Sequence, residues 1–192
     1  MIVYKKEKLD NAICYFAREH YSRTGKYLSR TILYKFLAFL DLKTLEKTGK
    51  PALELEYKAF PMGPVPHKIY NNRKKYENKE CFTFNRSGRT TIVIPGGRPD
   101  LDYFSETETD IMQELVNKYS RKGIIQRNIC ASINKYSHEI QAWEIAWDRK
   151  PNSVIKYDDI FYDIESKSPE KLTPQEENYL TYKGLKEIGS CR

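Results

Sequence analysis

The side chains best suited to chemistry are few and scattered along the chain. The three histidines are far apart in sequence: His20, His67 and His138. The four cysteines form no C-x-x-C pair: Cys14, Cys81, Cys130 and Cys191. A zinc site needs about four clustered ligands, and a catalytic nucleophile needs a base within hydrogen-bond reach. We therefore predict no catalytic residue, no metal site and no cofactor, so that the protein is not an enzyme.

Positive charge is concentrated in about a sixth of the chain. The net charge is +7, and residues 66–98 hold eight basic side chains against two acidic ones, which is +6 of that total. Such a patch attracts anionic partners, either nucleic acid or an acidic protein surface. The candidate anion contacts are Arg73, Lys74, Lys75, Arg86 and Arg89.

Part of this charge is expected on a β-hairpin. Residues 81–85 and 90–94 have the composition of strands, and Arg86 and Arg89 bound the turn between them. With a short basic helix predicted over 66–76, this hairpin suits the wing of a winged-helix protein. Residues 71–73 are the nearest candidate for a recognition helix, although no tight helix-turn-helix is evident. Nucleic-acid binding is therefore the alternative function.

A proline-rich turn must position any contact surface nearby. Pro61, Gly63, Pro64 and Pro66 fall within six residues. Each proline fixes φ near about −65° and lacks a backbone donor, which excludes helix interior and central strand. We predict a rigid apolar bend pinned to the core, with Pro66 as the first residue of the next helix.

Helical periodicity dominates the remaining sequence. Gly25 is expected to end the first helix, and Ser29 to cap the second. Ser105 and Glu108 have the spacing of a capping box. His138 is placed at the start of the helix that carries Trp143 and Trp147. The predicted fold is mainly α (α+β): a compact helical domain with one small antiparallel β-hairpin.

Two parts of the chain are expected. Residues 1–165 form the domain, and residues 166–192 form a linker and a C-terminal helix that packs on it or extends it. No apolar run approaches the roughly 20 residues that a membrane helix needs, so no membrane partner is expected. Cysteines this widely spaced fit a reducing compartment and a cytoplasmic location.

Four segments in this order resemble a known family. A helix over residues 9–16 precedes them and is similar to the first helix of that family. The first segment is the helix over residues 28–40, which contains Lys35, and the second leads from residues 57–59 to Gly63-Pro64-Val65. The third is the helix start at 104–108, and the fourth runs from residues 133–139, with Ser137-His138, into residues 142–147, with Trp143. Together, over about residues 5–165, they resemble the Panacea domain, the SocA-like antitoxin family.

The resemblance implies a protein-binding module that neutralises a partner toxin by direct contact. Such a module is expected in a bacterium, encoded beside its toxin or carried on a phage or mobile element, and the resemblance does not name the toxin. Aromatic and arginine side chains carry much of the energy at interfaces. The predicted partner-binding residues are Phe60, Met62, Gly63, Pro64, Val65, His67, Tyr70 and Trp147. Trp143 matches a family position and is predicted to be core.

Overall fold

Helices and two small sheets make up the described chain. The computed structural model describes residues 4–123 and 126–190. The helices of these residues are α1 (Lys5–Thr24), α2 (Arg30–Thr48), α3 (His67–Asn71), α4 (Glu106–Tyr119), α5 (Gln126–His138), α6 (Gln141–Arg149) and α7 (Pro174–Ser190). The strands are β1 (Leu28–Ser29), β2 (Tyr57–Phe60), β3 (Gly63–Pro66), β4 (Phe82–Ser87), β5 (Thr90–Pro95) and β6 (Val154–Ile155). Short 3₁₀ turns cover Arg73–Tyr76, Tyr157–Phe161, Ile164–Ser166 and Pro169–Lys171.

Helix α2 is the centre of the fold. It is buried on nearly all sides and packs against α1, α4, α5, α7 and strand β3. A helix that is apolar all round has to lie inside a protein. Its start confirms the sequence prediction, because Ser29 accepts a hydrogen bond from the Ile32 amide, and Gly49 ends the helix with φ 76°. Gly25 likewise ends α1.

The helix starts predicted from capping residues are confirmed. Ser105 and Glu108 form a reciprocal capping box at the start of α4. Glu108 also pairs with Lys8 at 2.7 Å, and both side chains are largely buried, so the cap ties α4 to α1. Thr173 and Glu176 exchange the same kind of bonds before α7.

The hairpin predicted at residues 81–94 is confirmed as β4 and β5. They pair from Phe82 with Pro95 to Ser87 with Thr90. The short strand β1 extends them into a sheet of order β1-β5-β4, which the sequence did not predict.

The expectation of one hairpin is incomplete, because the proline-rich bend is itself a second hairpin. Strands β2 and β3 pair from Tyr57 with Pro66 to Phe60 with Gly63, in a sheet of order β3-β2-β6. Pro64 and Pro66 are two residues apart, so both missing donors fall on the same side of β3. An edge strand needs donors on one side only, so prolines exclude a central strand but permit this one.

The basic helix predicted over 66–76 is wrong in its bounds. Helix α3 begins at His67, with Pro66 before it, and ends at Asn71. Asn72 has φ −130° and ψ 39°, and a separate 3₁₀ turn follows. Ile69 is the one buried residue of α3, so little tertiary packing supports a longer helix.

The C-terminal helix α7 packs against the end of α2. A Cβ at Gly49 would collide with backbone atoms of Gln175 and Tyr179, which shows how closely the two helices approach. The Tyr182 hydroxyl donates to Glu54 at 2.6 Å. None of the helices in the described residues is long and apolar enough to cross a membrane.

Trp143 lies in a cluster built from small side chains. It is buried, and its cluster includes Ala38, Ala59, Ala142 and Ala146. Four alanines leave the space that one indole fills. The structure thus agrees with the core role predicted for Trp143, whereas Trp147 is half-buried.

Replacing Trp143 by alanine should destabilise the protein by about 3–5 kcal/mol, because the cavity cannot collapse around four alanines. Trp147→Ala should cost about 1–2 kcal/mol, because part of that ring is already in solvent. Urea denaturation of both variants measures the difference. Equal losses would contradict the assignment of Trp143 to the core.

Candidate functional site

The turn between β2 and β3 is fixed by the close packing of Gly63 against buried side chains. Gly63 has φ 93°, and a Cβ there would overlap Ser137 Oγ and Lys35 Nζ. Ser137 is fully buried near the end of α5 and donates to the Asn134 carbonyl at 2.7 Å. Glycine is therefore required at residue 63 by both the backbone angle and the space.

Lys35 reaches this turn from the middle of α2. Its side chain is 1% exposed, and Nζ donates to the Pro64 carbonyl at 3.3 Å. No carboxylate pairs with it in residues 4–123 and 126–190. Burial lowers the pKa of Lys35 to about 7, since removing an ammonium from water disfavours its charged form.

Three stacked rings support the turn from the side of α6. The His138 ring stacks on Trp143 at 4.2 Å, and Trp143 stacks on Trp147 at 5.4 Å. Trp143 Nε1 donates to the Phe60 carbonyl at 3.2 Å. His138 is the last residue of α5 rather than the start of the next helix, so its predicted position is wrong. Ile140 takes the N-cap position of α6.

A buried carboxylate holds the segment that leads into β2. Asp41 on α2 accepts hydrogen bonds from three backbone amides, those of Leu53, Glu54 and Leu55. The hydroxyls of Tyr57 and Tyr157 lie 2.9 Å and 3.2 Å from its Oδ2. Burial raises the pKa of Asp41, and these hydrogen bonds oppose that shift. We did not predict this group from the sequence, although an aspartate within an apolar helix is itself a signal.

The outer side of the turn carries the exposed apolar residues. Met62 is 56% exposed and Tyr70 is 36% exposed, while Phe60 and His67 are half-buried. The Phe60 and Tyr70 rings meet edge to face at 5.6 Å. We call these four residues the turn surface.

The structure divides the predicted partner-binding residues into two groups. Gly63, Pro64 and Val65 are buried, so they contribute by fixing the turn. The turn surface is accessible, and Trp147 adds a half-buried ring beyond Trp143.

The predicted anion contacts come together in one cleft. It has a volume of about 620 Å³ and lies between α3 with its following 3₁₀ turn and the β4–β5 hairpin. Its basic lining consists of Arg30, Arg73, Lys74, Lys75, Arg86 and Arg89, and we call it the basic cleft. Arg30 was missed because it lies far away in sequence. It joins the cleft through Tyr70, whose ring centroid is 5.9 Å from Arg30 Cζ and 5.8 Å from Arg73 Cζ.

In the described residues, the histidine and cysteine side chains considered for catalysis or metal binding lie in separate parts of the fold. His20 Nδ1 lies 2.8 Å from Ser120 Oγ, and burial lowers the pKa of His20 to about 4. Burial raises the pKa of the Cys14 thiol to about 12, which disfavours the reactive thiolate. Within the described ranges no three His, Cys, Asp or Glu side chains are grouped to hold a metal ion. Cys191 lies outside the described residues.

Comparison with known protein families gives a match. The family described as antitoxin SocA-like, Panacea domain matches residues 33–144, a segment that contains Lys35, the proline-rich turn, Ser137 and Trp143. No curated protein matches, and no solved structure matches.

Gly63→Ala should destabilise the protein by about 2–4 kcal/mol, because it adds steric overlap to a strained φ. Gly88→Ala is the matched control. Gly88 also has a positive φ, of 57°, but no atom lies within 4 Å of its added Cβ. It should cost only about 1 kcal/mol. Denaturation curves that shift equally for both variants would contradict the close packing at residue 63.

The buried Lys35 should make stability depend on pH. The unfolded side chain has a pKa of 10.5 and the folded one a pKa of about 7. Between these values the unfolded chain holds a proton that the folded chain has released, so stability rises with pH. From about pH 7 to about pH 8.5 the free energy of unfolding should increase by about 1–2 kcal/mol.

Lys35→Met keeps an unbranched side chain, one heavy atom shorter, and removes the titrating amine. Urea denaturation at several pH values should show that this variant lacks the rise. A slope that persists in Lys35→Met would assign the pH dependence to another group.

Proposed function

The chain belongs to the antitoxin SocA-like, Panacea domain family, and from that premise we propose that it neutralises a protein toxin by direct contact, without catalysing a reaction. The match confirms the family resemblance seen in the sequence, and it includes every residue of the turn surface. The family describes an antitoxin in general and leaves the partner unnamed. In the proposed setting the toxin is encoded beside this chain, in a bacterium or on a phage or mobile element, and the two proteins meet in the cytoplasm.

One observation supports this proposal above the others: a rigid turn exposes Met62 to solvent. Met62 is 56% exposed, while the residue that follows it cannot accept a side chain. A flexible loop loses conformational entropy when it binds, and a turn that is already fixed avoids that loss. An unbranched thioether also adapts to irregular apolar surfaces.

The neighbouring rings complete an arrangement typical of an interface. Phe60 and Tyr70 pack edge to face beside Met62, and Arg30 and Arg73 lie against Tyr70. Aromatic and arginine side chains are the commonest binding hot spots, and they act best when packing fixes their geometry. The turn surface therefore supplies the apolar anchor, and Arg30 and Arg73 beside Tyr70 supply a polar rim.

The nucleic-acid alternative receives less support from the fold. The segment nearest to a recognition helix, residues 71–73, is interrupted at Asn72. Asn71, at the end of α3, lies 3.0 Å from His67 Nε2 through its side-chain amide nitrogen. A recognition helix needs several consecutive side chains aimed at base edges, and α3 has only five residues.

Co-expression with each protein encoded beside this chain tests the proposal. Growth rescue from a toxic neighbour, together with co-purification of the two chains, is the expected result. Rescue without a stable complex would contradict neutralisation by direct contact.

The substitution Met62→Asp should weaken the complex about tenfold or more, because a charge replaces the apolar anchor. The fold should be unaffected, since the side chain is exposed. Leu185→Asp on α7 is the matched control, because Leu185 is 62% exposed at a site remote in sequence. The Kd from a binding titration and the growth rescue should both change for Met62→Asp only. Neutralisation by Met62→Asp at the wild-type level would exclude the turn surface as the contact.

A further inference from the structure

We infer that the basic cleft binds a carboxylate-rich segment of the partner protein. This rests on the proposed function, because it states what the toxin presents beside the turn surface. Six cationic side chains from α2, the residues after α3, and the β4–β5 hairpin line the cleft, and no carboxylate of the described residues does so. A concave site lined by one sign of charge concentrates the opposite charge.

Most of this positive charge is left uncompensated within the chain. Among the six cations, Lys74 makes the one ion pair seen in the described residues, with Glu77 at 3.1 Å. Arg73 donates to the Tyr70 carbonyl at 2.6 Å, and Arg86 donates to the Gly88 carbonyl at 3.3 Å. Each of these guanidinium groups keeps further N–H donors for a ligand, since arginine has five.

The side chains that line the cleft favour a protein segment over nucleic acid. Single-stranded nucleic acid is usually held by bases stacking on exposed aromatic rings. Among the described residues Phe84 is the one aromatic residue that lines the cleft, and it is 3% exposed. The adjacent Tyr70 is 36% exposed, and Arg30, Arg73 and Phe60 already contact its ring. Carboxylates need no stacking surface, and guanidinium groups bind them in bidentate geometry.

Fluorescence anisotropy with three labelled probes tests the inference on the isolated chain. The probes are an oligo-glutamate peptide, an oligo-glutamine peptide of equal length, and a single-stranded oligonucleotide with the charge of the first. We expect the glutamate peptide to bind most tightly. Tighter binding of the oligonucleotide would overturn the inference and assign the cleft to nucleic acid.

Two double variants distinguish binding in the cleft from non-specific electrostatic attraction to the whole chain. Arg86→Gln/Arg89→Gln should weaken peptide binding about fivefold or more, because both side chains line the cleft. Lys79→Gln/Arg98→Gln removes the same charge from exposed residues of the same segment that do not line it. Equal losses in the two double variants would overturn the inference.

The outcome also separates this inference from the proposed function. If the wild-type chain neutralises a toxin but shows no preference for the glutamate peptide, the inference fails and the proposed function stands. If the peptide binds selectively but no neighbouring toxin is neutralised, the proposed function fails and the affinity of the cleft for carboxylates stands.

Discussion

The rest of the site depends on the contact of Gly63 with Lys35 and Ser137. At this point strand β3 touches the central helix α2 and the buried end of α5 so closely that no Cβ fits. Trp143 of α6 fixes the same turn from the other side through the Phe60 carbonyl. Segments that are far apart in the sequence thus meet at one turn, and they hold it in a single conformation.

The buried amine of Lys35 holds the turn through a hydrogen bond, and its burial carries a free-energy penalty. An amine without a carboxylate partner is expensive to bury in its charged form, and its pKa of about 7 reflects that penalty. Its hydrogen bond to the Pro64 carbonyl satisfies a backbone acceptor that would otherwise be enclosed by α2. The turn is therefore fixed by polar contacts beneath it, and its outer side remains free to carry Met62.

Local signals were enough to predict most helix ends and the β4–β5 hairpin, because capping residues and turn residues act within a few positions. Ser29, Gly25 and the Ser105–Glu108 box lie where predicted. The second sheet was missed because prolines indicate a bend and do not reveal the strand that pairs with them. Lys35 and Arg30 were missed for a different reason, since their roles depend on partners distant in sequence. The prolines and the glycine identified the turn, and only the structure separates its buried residues from its exposed ones.

Oxidation footprinting of the methionines, followed by mass spectrometry, shows whether the toxin contacts the turn surface. Met62 is 56% exposed and Met112 is fully buried, so the second serves as an internal reference. In the free chain Met62 should oxidise quickly and Met112 slowly. In the complex with the toxin, Met62 should be strongly protected from oxidation while Met112 is unchanged. An oxidation rate at Met62 that is the same in the free chain and in the complex would contradict contact through the turn surface.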